Sequence, residues 1–262
     1  MTSTDRLLLR AWPACSVGSW SAAWIAGHCS PDDVTQTLAD SADLHVLDDR
    51  SGSTQLAQGV LGLLGLLRGA HRLSVRIPSA GEPAGLPPDN ATTAAFAGGE
   101  VLLIDDGQPT PLALIPAEHD GSYRWQVLRY TTTVPTGATP AAGDIEYELR
   151  QAITATTELI GRIGGRVASS PADLRGALRI QTHRHLIDLP PHDDDRAARM
   201  IETAAQVEAI AELAVGGGAT FGASAGQVTS GDTELRRLVT LARWARAAAV
   251  NRVIDQFLGT TW

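Results

Sequence analysis

The chain has 262 residues, 44 % of them hydrophobic, with a net charge of −8 and a pI near 5.3. Those values place it with globular proteins and argue against disorder, against broad attraction to nucleic acid and against a basic membrane-surface protein. All 21 basic residues are Arg, and six of the twelve aromatic residues are Trp. Two cysteines, Cys15 and Cys29, are too few for a disulfide framework and lack zinc spacing, so a reducing cytoplasmic setting is expected.

Arg6 and Arg10 precede AWPACSVGSWSAAWIAG in the manner of a secretory signal, but Pro13, Gly18 and several serines interrupt the apolar core such a segment needs. The stretch reads instead as a first helix. Trp20 and Trp24, four residues apart, fall on one face of it and are expected in the core. Ser30-Pro31-Asp32-Asp33 combines a capping serine, proline at the first helical position and an acid three residues after the serine. A helix should therefore run from Pro31 to about Ala42. The run GVLGLLGLL from Gly59 to Leu67 is too short to span a bilayer and predicts a buried helix.

Leu73–Ile77, Val101–Ile104, Leu112–Ile115 and Tyr123–Tyr130 are short apolar or alternating runs separated by Gly, Pro and Asp. They predict strands of a largely antiparallel sheet. The Pro- and Gly-rich loop from Ser79 to Asn90, followed by a short helix capped by Asn90, is the candidate binding surface of this half. Arg76, Gly81, Glu82 and Glu100 are its candidate contacts. Asp105 and Asp106, at a strand end, suggest no catalytic role.

PTGATPAAG, residues 135–143, has no large apolar side chain and reads as a linker. Beyond it the pattern is helical. Ile145, Leu149, Ile153, Leu159 and Ile163 mark one amphipathic helix, Ser170-Pro171-Ala172-Asp173 starts another, Met200, Ile201, Val207, Ile210 and Leu213 mark a third, and residues 235–258 form a long fourth. The expected fold is therefore α+β: a domain over residues 1–134 with a small, mostly antiparallel sheet and helices, then a helical bundle over 144–262.

The chemical candidates are few. HRHLID followed by PPHDDD gathers His183, His185 and His192, the candidate metal ligands, with four aspartates. On a strand His183 and His185 would share a face, but the spacing to His192 fits no zinc pattern. The competing reading makes Asp193, Asp194 and Asp195 the acidic entrance of the helix that begins near Arg196. No metal or other cofactor is expected. Gly222-Ala223-Ser224-Ala225-Gly226 matches a nucleophile elbow, but no preceding strand or following histidine supports it. Gly216–Gly218 lack the Lys-Ser/Thr of a phosphate loop. Arg236, Arg237, Arg243, Arg246 and Arg252 on the last helix read as a solvated face in preference to a DNA-binding one.

Trp24-Ile-Ala-Gly27 with Ser30-x-Asp32-Asp33-Val34, Pro78-x-x-Gly81 with Gly85-Leu86-Pro87, Gly99-Glu100-Val101, Leu114-Ile115-Pro116 and Trp125-x-Val127 together resemble a conserved family of uncharacterised proteins from high-GC actinobacteria. Gly81-Glu82 stands where that family suggests Gly-Asp. The resemblance implies no activity and no catalytic residues. The chain thus reads as a non-catalytic intracellular interaction or regulatory protein, with a protein partner or a second copy as its ligand and neither nucleic acid nor a membrane span. The alternative is a small-molecule binder or enzyme using the loop at 79–90.

Overall fold

The structure is a computed structural model that describes residues 11–52, 58–119, 121–135, 143–145, 147–151, 171–216 and 225–259. Helix α1 spans Pro13–Ile25, α2 Pro31–Ser41, β1 His45–Asp49, α3 Gly59–Arg68, β2 Arg72–Arg76, α4 Asn90–Gly98, β3 Val101–Asp105, β4 Leu112–His119 and β5 Ser122–Arg129. Helices α5 (Pro171–His185), α6 (Asp195–Gly216) and α7 (Ala225–Leu258) follow. The fold is α+β, as expected, with the sheet in the N-terminal half and helices in the C-terminal half.

The sheet has the order β1-β5-β4-β3-β2. Its β2-β3, β3-β4 and β4-β5 ladders are antiparallel, and β1 joins the far edge parallel to β5. The expectation of four strands omitted β1, because HVLDD turns only His45 and Leu47 into the core and its two aspartates disfavour a strand. What fixes His45 inside is a pair of hydrogen bonds. Trp125 Nε1–H donates to Nδ1 at 2.8 Å, so the ring proton sits on Nε2, which lies 2.9 Å from the Leu38 carbonyl at the end of α2.

One face of the sheet carries Leu73, Val75, Leu102, Ile104, Leu114, Trp125 and Val127 against α1, α3 and α7. The opposite face carries Val101, Leu103, Ala113 and Ile115 beneath α4. Burial on both sides explains why β3 is an unbroken apolar run. The edge of β2 is closed by a side chain: Asn251 of α7 donates to the Val75 carbonyl at 3.0 Å and accepts the Val75 N–H at 2.7 Å. An amide thereby takes the place of a neighbouring strand.

α1 is the central helix, and it is buried through small residues. Ala14, Cys15, Val17, Gly18, Ser19, Ala22 and Ala23 lie inside, whereas Trp20 and Trp24 are only half-buried at the rim. Trp24 packs against the core from its rim; neither indole is fully buried, because the inner side of a helix wedged between a sheet and α7 is filled by small residues. A Cβ at Gly18 would stand 2.8 Å from Leu102 Cδ1 and 3.6 Å from Ile254 Cδ1. Trp20 instead donates to the Asp188 carbonyl at 3.2 Å.

The Ser30–Asp33 capping box forms as expected at the start of α2. α4 is capped by Asp89, whose carboxylate accepts the Ala91 N–H at 2.9 Å, one residue before the expected Asn90. α3 is buried on one side only, with Leu63 and Leu67 inside and Leu61 73 % exposed. On α6, Met200, Ile201 and Val207 are buried as expected, but Ile210 is exposed. Residues 143–145 and 147–151 are helical, with Ile145 and Leu149 in the core; Ile153, Leu159 and Ile163 lie outside the described residues. One apolar core includes the sheet, α1 and these C-terminal side chains together with Ile187, Met200, Val207, Leu238, Val250 and Ile254. Among the described residues no helix is long and apolar enough to cross a membrane.

Candidate functional site

Where the start of α1 meets α5, α6 and α7, polar side chains converge inside the protein. The convergence begins with how α1 starts. Pro13 occupies its first turn and Trp12, at the N-cap, makes no side-chain cap bond. The next two amides, Ala14 N–H and Cys15 N–H, donate to the two carboxylate oxygens of Glu100 at 2.8 and 3.1 Å. Glu100 therefore caps α1 from the first residue before β3, and the helix dipole adds to the attraction. Its side chain is 1 % exposed, and burial outweighs the two amide donors and Arg246, pushing its carboxyl up to about 7.

The Trp12 indole, a donor that cannot cap helix amides, acts elsewhere. Its Nε1–H points to Nδ1 of His185, 3.3 Å away at the end of α5. Glu208 Oε2 also lies 3.5 Å from Nδ1, but that oxygen is committed to Arg246, and the indole is the nearer partner. Nδ1 is then the acceptor and Nε2 carries the proton. His185 is buried and Nε2 has no hydrogen-bond partner, although Glu212 Oε1 stands 3.2 Å away, out of alignment. That contact is the largest influence holding Glu212 below its usual carboxylate range, against partial burial.

Glu208 of α6 is clamped by two guanidinium groups of α7. Arg246 Nη1 pairs with Oε2, and Arg243 Nε approaches Oε1 at 3.4 Å. Arg246 is fully buried; its Nη2 donates to the His185 carbonyl at 3.3 Å and its Nε is unpartnered. Both guanidiniums lie over the Trp12 ring, with Cζ 4.4 Å (Arg246) and 5.7 Å (Arg243) from its centroid. Arg243 Nη1 also donates to the Pro78 carbonyl at 3.2 Å, which ties the start of the 79–90 loop to the same cluster. A cleft of about 250 Å³ opens onto this network, lined by Trp12, His185, Glu208, Glu212, Arg243 and the Gly98-Gly99 turn among others. That turn needs glycine: Gly99 has φ +80°, and a Cβ on Gly98 would stand 2.6 Å from the Pro116 carbonyl oxygen.

Of the residues expected to form a binding surface, Arg76 lies across the ladder from Val101, the neighbour of Glu100, whereas Gly81 and Glu82 belong to the loop. Gly81 and Glu82 build a tight turn in which Ser79 and Glu82 exchange backbone hydrogen bonds of 2.9 and 2.7 Å. The Glu82 side chain accepts the Ala84 N–H within that loop. Arg76 is buried in β2, its Nη1 on the Val75 carbonyl and its Nε unpartnered. Of the four, Glu100 alone borders the polar cluster.

The histidines also separate. His183 and His185 lie on α5, not on a strand, so a spacing of two turns them apart: His183 is exposed and His185 is buried. His192 accepts the Asp194 N–H at 3.1 Å in the turn beyond. Among the described residues no group of three His, Cys, Asp or Glu is placed to hold a metal. Asp194 caps α6, its Oδ1 accepting from Arg196 N–H at 3.1 Å and Ala197 N–H at 3.0 Å. The helix-entrance reading of PPHDDD is therefore correct. The reading of the last helix's arginines as one solvated face is not: Arg236, Arg237 and Arg252 are exposed, whereas Arg243 and Arg246 turn inward. The elbow sequence lies mostly outside the described residues.

Sequence reasoning passed over Trp12, Glu208 and Glu212 altogether. A signal existed for Glu208 and Arg246: each is a charge set among Ala, Val and Ile in a helical run, of opposite sign, on two helices expected to pack.

Two family models, described as the N-terminal and C-terminal domains of the Rv1486c-like protein, match residues 14–141 and 143–247. The chain belongs to the Rv1486c-like family. Relatives include an uncharacterised Mycobacterium leprae protein, 27 % identical over 92 % of this chain and 97 % of its own. One from Mycobacterium tuberculosis is 25 % identical with the same coverage. A Mycobacterium avium protein is 28 % identical over 78 % of this chain and 79 % of its own. The actinobacterial resemblance read from the sequence is thus correct. No solved structure matches the chain.

Proposed function

We propose that the protein is a non-catalytic regulatory protein of the cytoplasm that binds a small polar ligand in the Trp12–His185–Arg243 cleft. The observation that carries this reading is His185, a buried imidazole that lines an open cleft with Nε2 lacking a hydrogen-bond partner. Its neighbour Glu212 Oε1, 3.2 Å away, is poorly aligned, and a better-placed acceptor in the cleft would complete the donor. The small-molecule alternative to an interaction protein therefore moves from the 79–90 loop to this cleft, with Arg243 joining the two.

Thermal-shift screening of the full chain against metabolite classes is the test, repeated on Trp12→Phe. Ligands of the cleft should raise the melting temperature of the wild type and lose most of that effect in the variant. A protein of verified quality that responds to no class, or equally in both forms, would refute the reading.

A protein partner is the second reading, and it has its own support: Leu61 of α3 and Leu44 before β1 are 73 % and 57 % exposed. Leu61→Gln should abolish such an association, read as molar mass by light scattering of the protein with its candidate partner or with itself. Monomers throughout would remove that support.

A further inference from the structure

We infer that the ligand of the Trp12–His185–Arg243 cleft bears a carboxylate, which takes the place of Glu212 beside His185 Nε2. This inference rests on the cleft being a ligand site.

The argument is an inventory of donors and acceptors. The buried groups of the cluster that lack partners are both donors: Nε2 of His185 and Nε of Arg246. The buried acceptors, in contrast, each already hold a donor. Glu208 has a guanidinium on each oxygen, Glu100 has an α1 amide on each, and Nδ1 of His185 receives the Trp12 indole. A ligand that supplied a further donor would meet N–H groups already lacking acceptors. One that supplies an acceptor can complete His185 Nε2, the one of the two that lines the cleft.

Charge points the same way. Glu208 with Arg243 and Arg246 sums to +1, from one carboxylate and two guanidiniums. The one charge balancing this cluster from the cleft lining is Glu212, whose side chain is 44 % exposed while its His185 partner is 5 % exposed. Glu212 therefore holds an anionic position from the solvent side, and its contact with Nε2, 3.2 Å and misaligned, is one a mobile carboxylate could improve on. A half-exposed, misaligned contact of this kind is weak, so displacement of Glu212 into water costs little. A planar carboxylate fits this position because the protein's own carboxylate already stands there, and Arg243 offers a second cation beside it.

The test uses the full chain labelled with ¹⁵N, the Trp12 indole resonance (identified by its loss in Trp12→Phe) and titrations with acetate, succinate, benzoate, inorganic phosphate, methylammonium and putrescine. The expected result is a saturable shift with at least one carboxylate and none with the amines. Glu212→Gln should bind that carboxylate roughly fivefold more tightly, the order an exposed ion pair contributes. Saturation by an amine or by phosphate in preference to any carboxylate would overturn the ligand class while leaving the cleft as a binding site. Carboxylate affinity that is unchanged or weaker in Glu212→Gln would overturn the displacement. No saturable response to any probe would count against the carboxylate inference alone, since the metabolite screen tests the cleft independently.

Discussion

Asp194 and Arg252 join two helices through one carboxylate. Oδ2 lies 2.6 Å from Arg252 Nη2 of α7, while Oδ1 caps α6 through the N–H groups of Arg196 and Ala197. Asp194→Ala removes both links and should cost about 1–2 kcal/mol, most of it the lost cap. Arg252→Ala should cost under about 1 kcal/mol, as an exposed pair does. Burial alone would raise the Asp194 carboxyl, but its hydrogen bonds and Arg252 hold it lower than usual. A depressed carboxylate stabilises above its ordinary range and loses that contribution as pH falls through its folded value. Urea denaturation should therefore show the gap between wild type and Asp194→Ala narrowing below about pH 4; an undiminished gap there would contradict the cap.

Glu208 and Arg246 are both buried, so their pair cannot be broken cheaply. Glu208→Gln leaves two guanidiniums facing an uncharged amide and should destabilise by about 3–5 kcal/mol, the range for a buried pair deprived of one partner. Replacing both residues with Met should recover much of that loss. Equilibrium unfolding of Glu208→Met, Arg246→Met and the double variant decides it, and additive losses would show that the pair is not a unit.

Glu100 should make stability fall with rising pH. Its folded carboxyl is pushed up to about 7 from an ordinary 4.5, so its contribution is complete below the unfolded value and is lost as pH rises toward 7. The span corresponds to about 3 kcal/mol at 1.4 kcal/mol per pH unit. Wild type should lose this amount relative to Glu100→Gln between about pH 4.5 and 7, then run parallel to it. Parallel curves over the entire range would mean that Glu100 does not titrate there.

At Gly18, α1 packs directly on Leu102 of β3. Gly18→Ala gains about 1 kcal/mol of helix propensity but forces a methyl to within 2.8 Å of Leu102 Cδ1. Overpacking of a full core costs about 1–3 kcal/mol, so a net loss of up to about 2 kcal/mol is expected. Pairing it with Leu102→Ala should show a coupling, since the smaller side chain admits the new methyl. A stabilised Gly18→Ala would show that the contact relaxes freely.

Much of the fold was legible in the sequence because local chemistry encodes it. Ser30-Pro31-Asp32-Asp33 carries its capping box within four residues, the alternating runs at 73–77 and 123–130 pair as strands by their own pattern, and PPHDDD supplies a cap to the helix beside it. The cleft was not legible, because its bonds cross long separations: Trp12 to His185, Glu100 to the α1 amides, and Glu208 to Arg246. Sequence alone made Arg246 one more charge on a helix face and His185 one of a histidine cluster. Only the packing of α1 against α5, α6 and α7 decides which of those polar groups lose their water, and a group that has lost its water must find a partner within the protein or wait for one from outside.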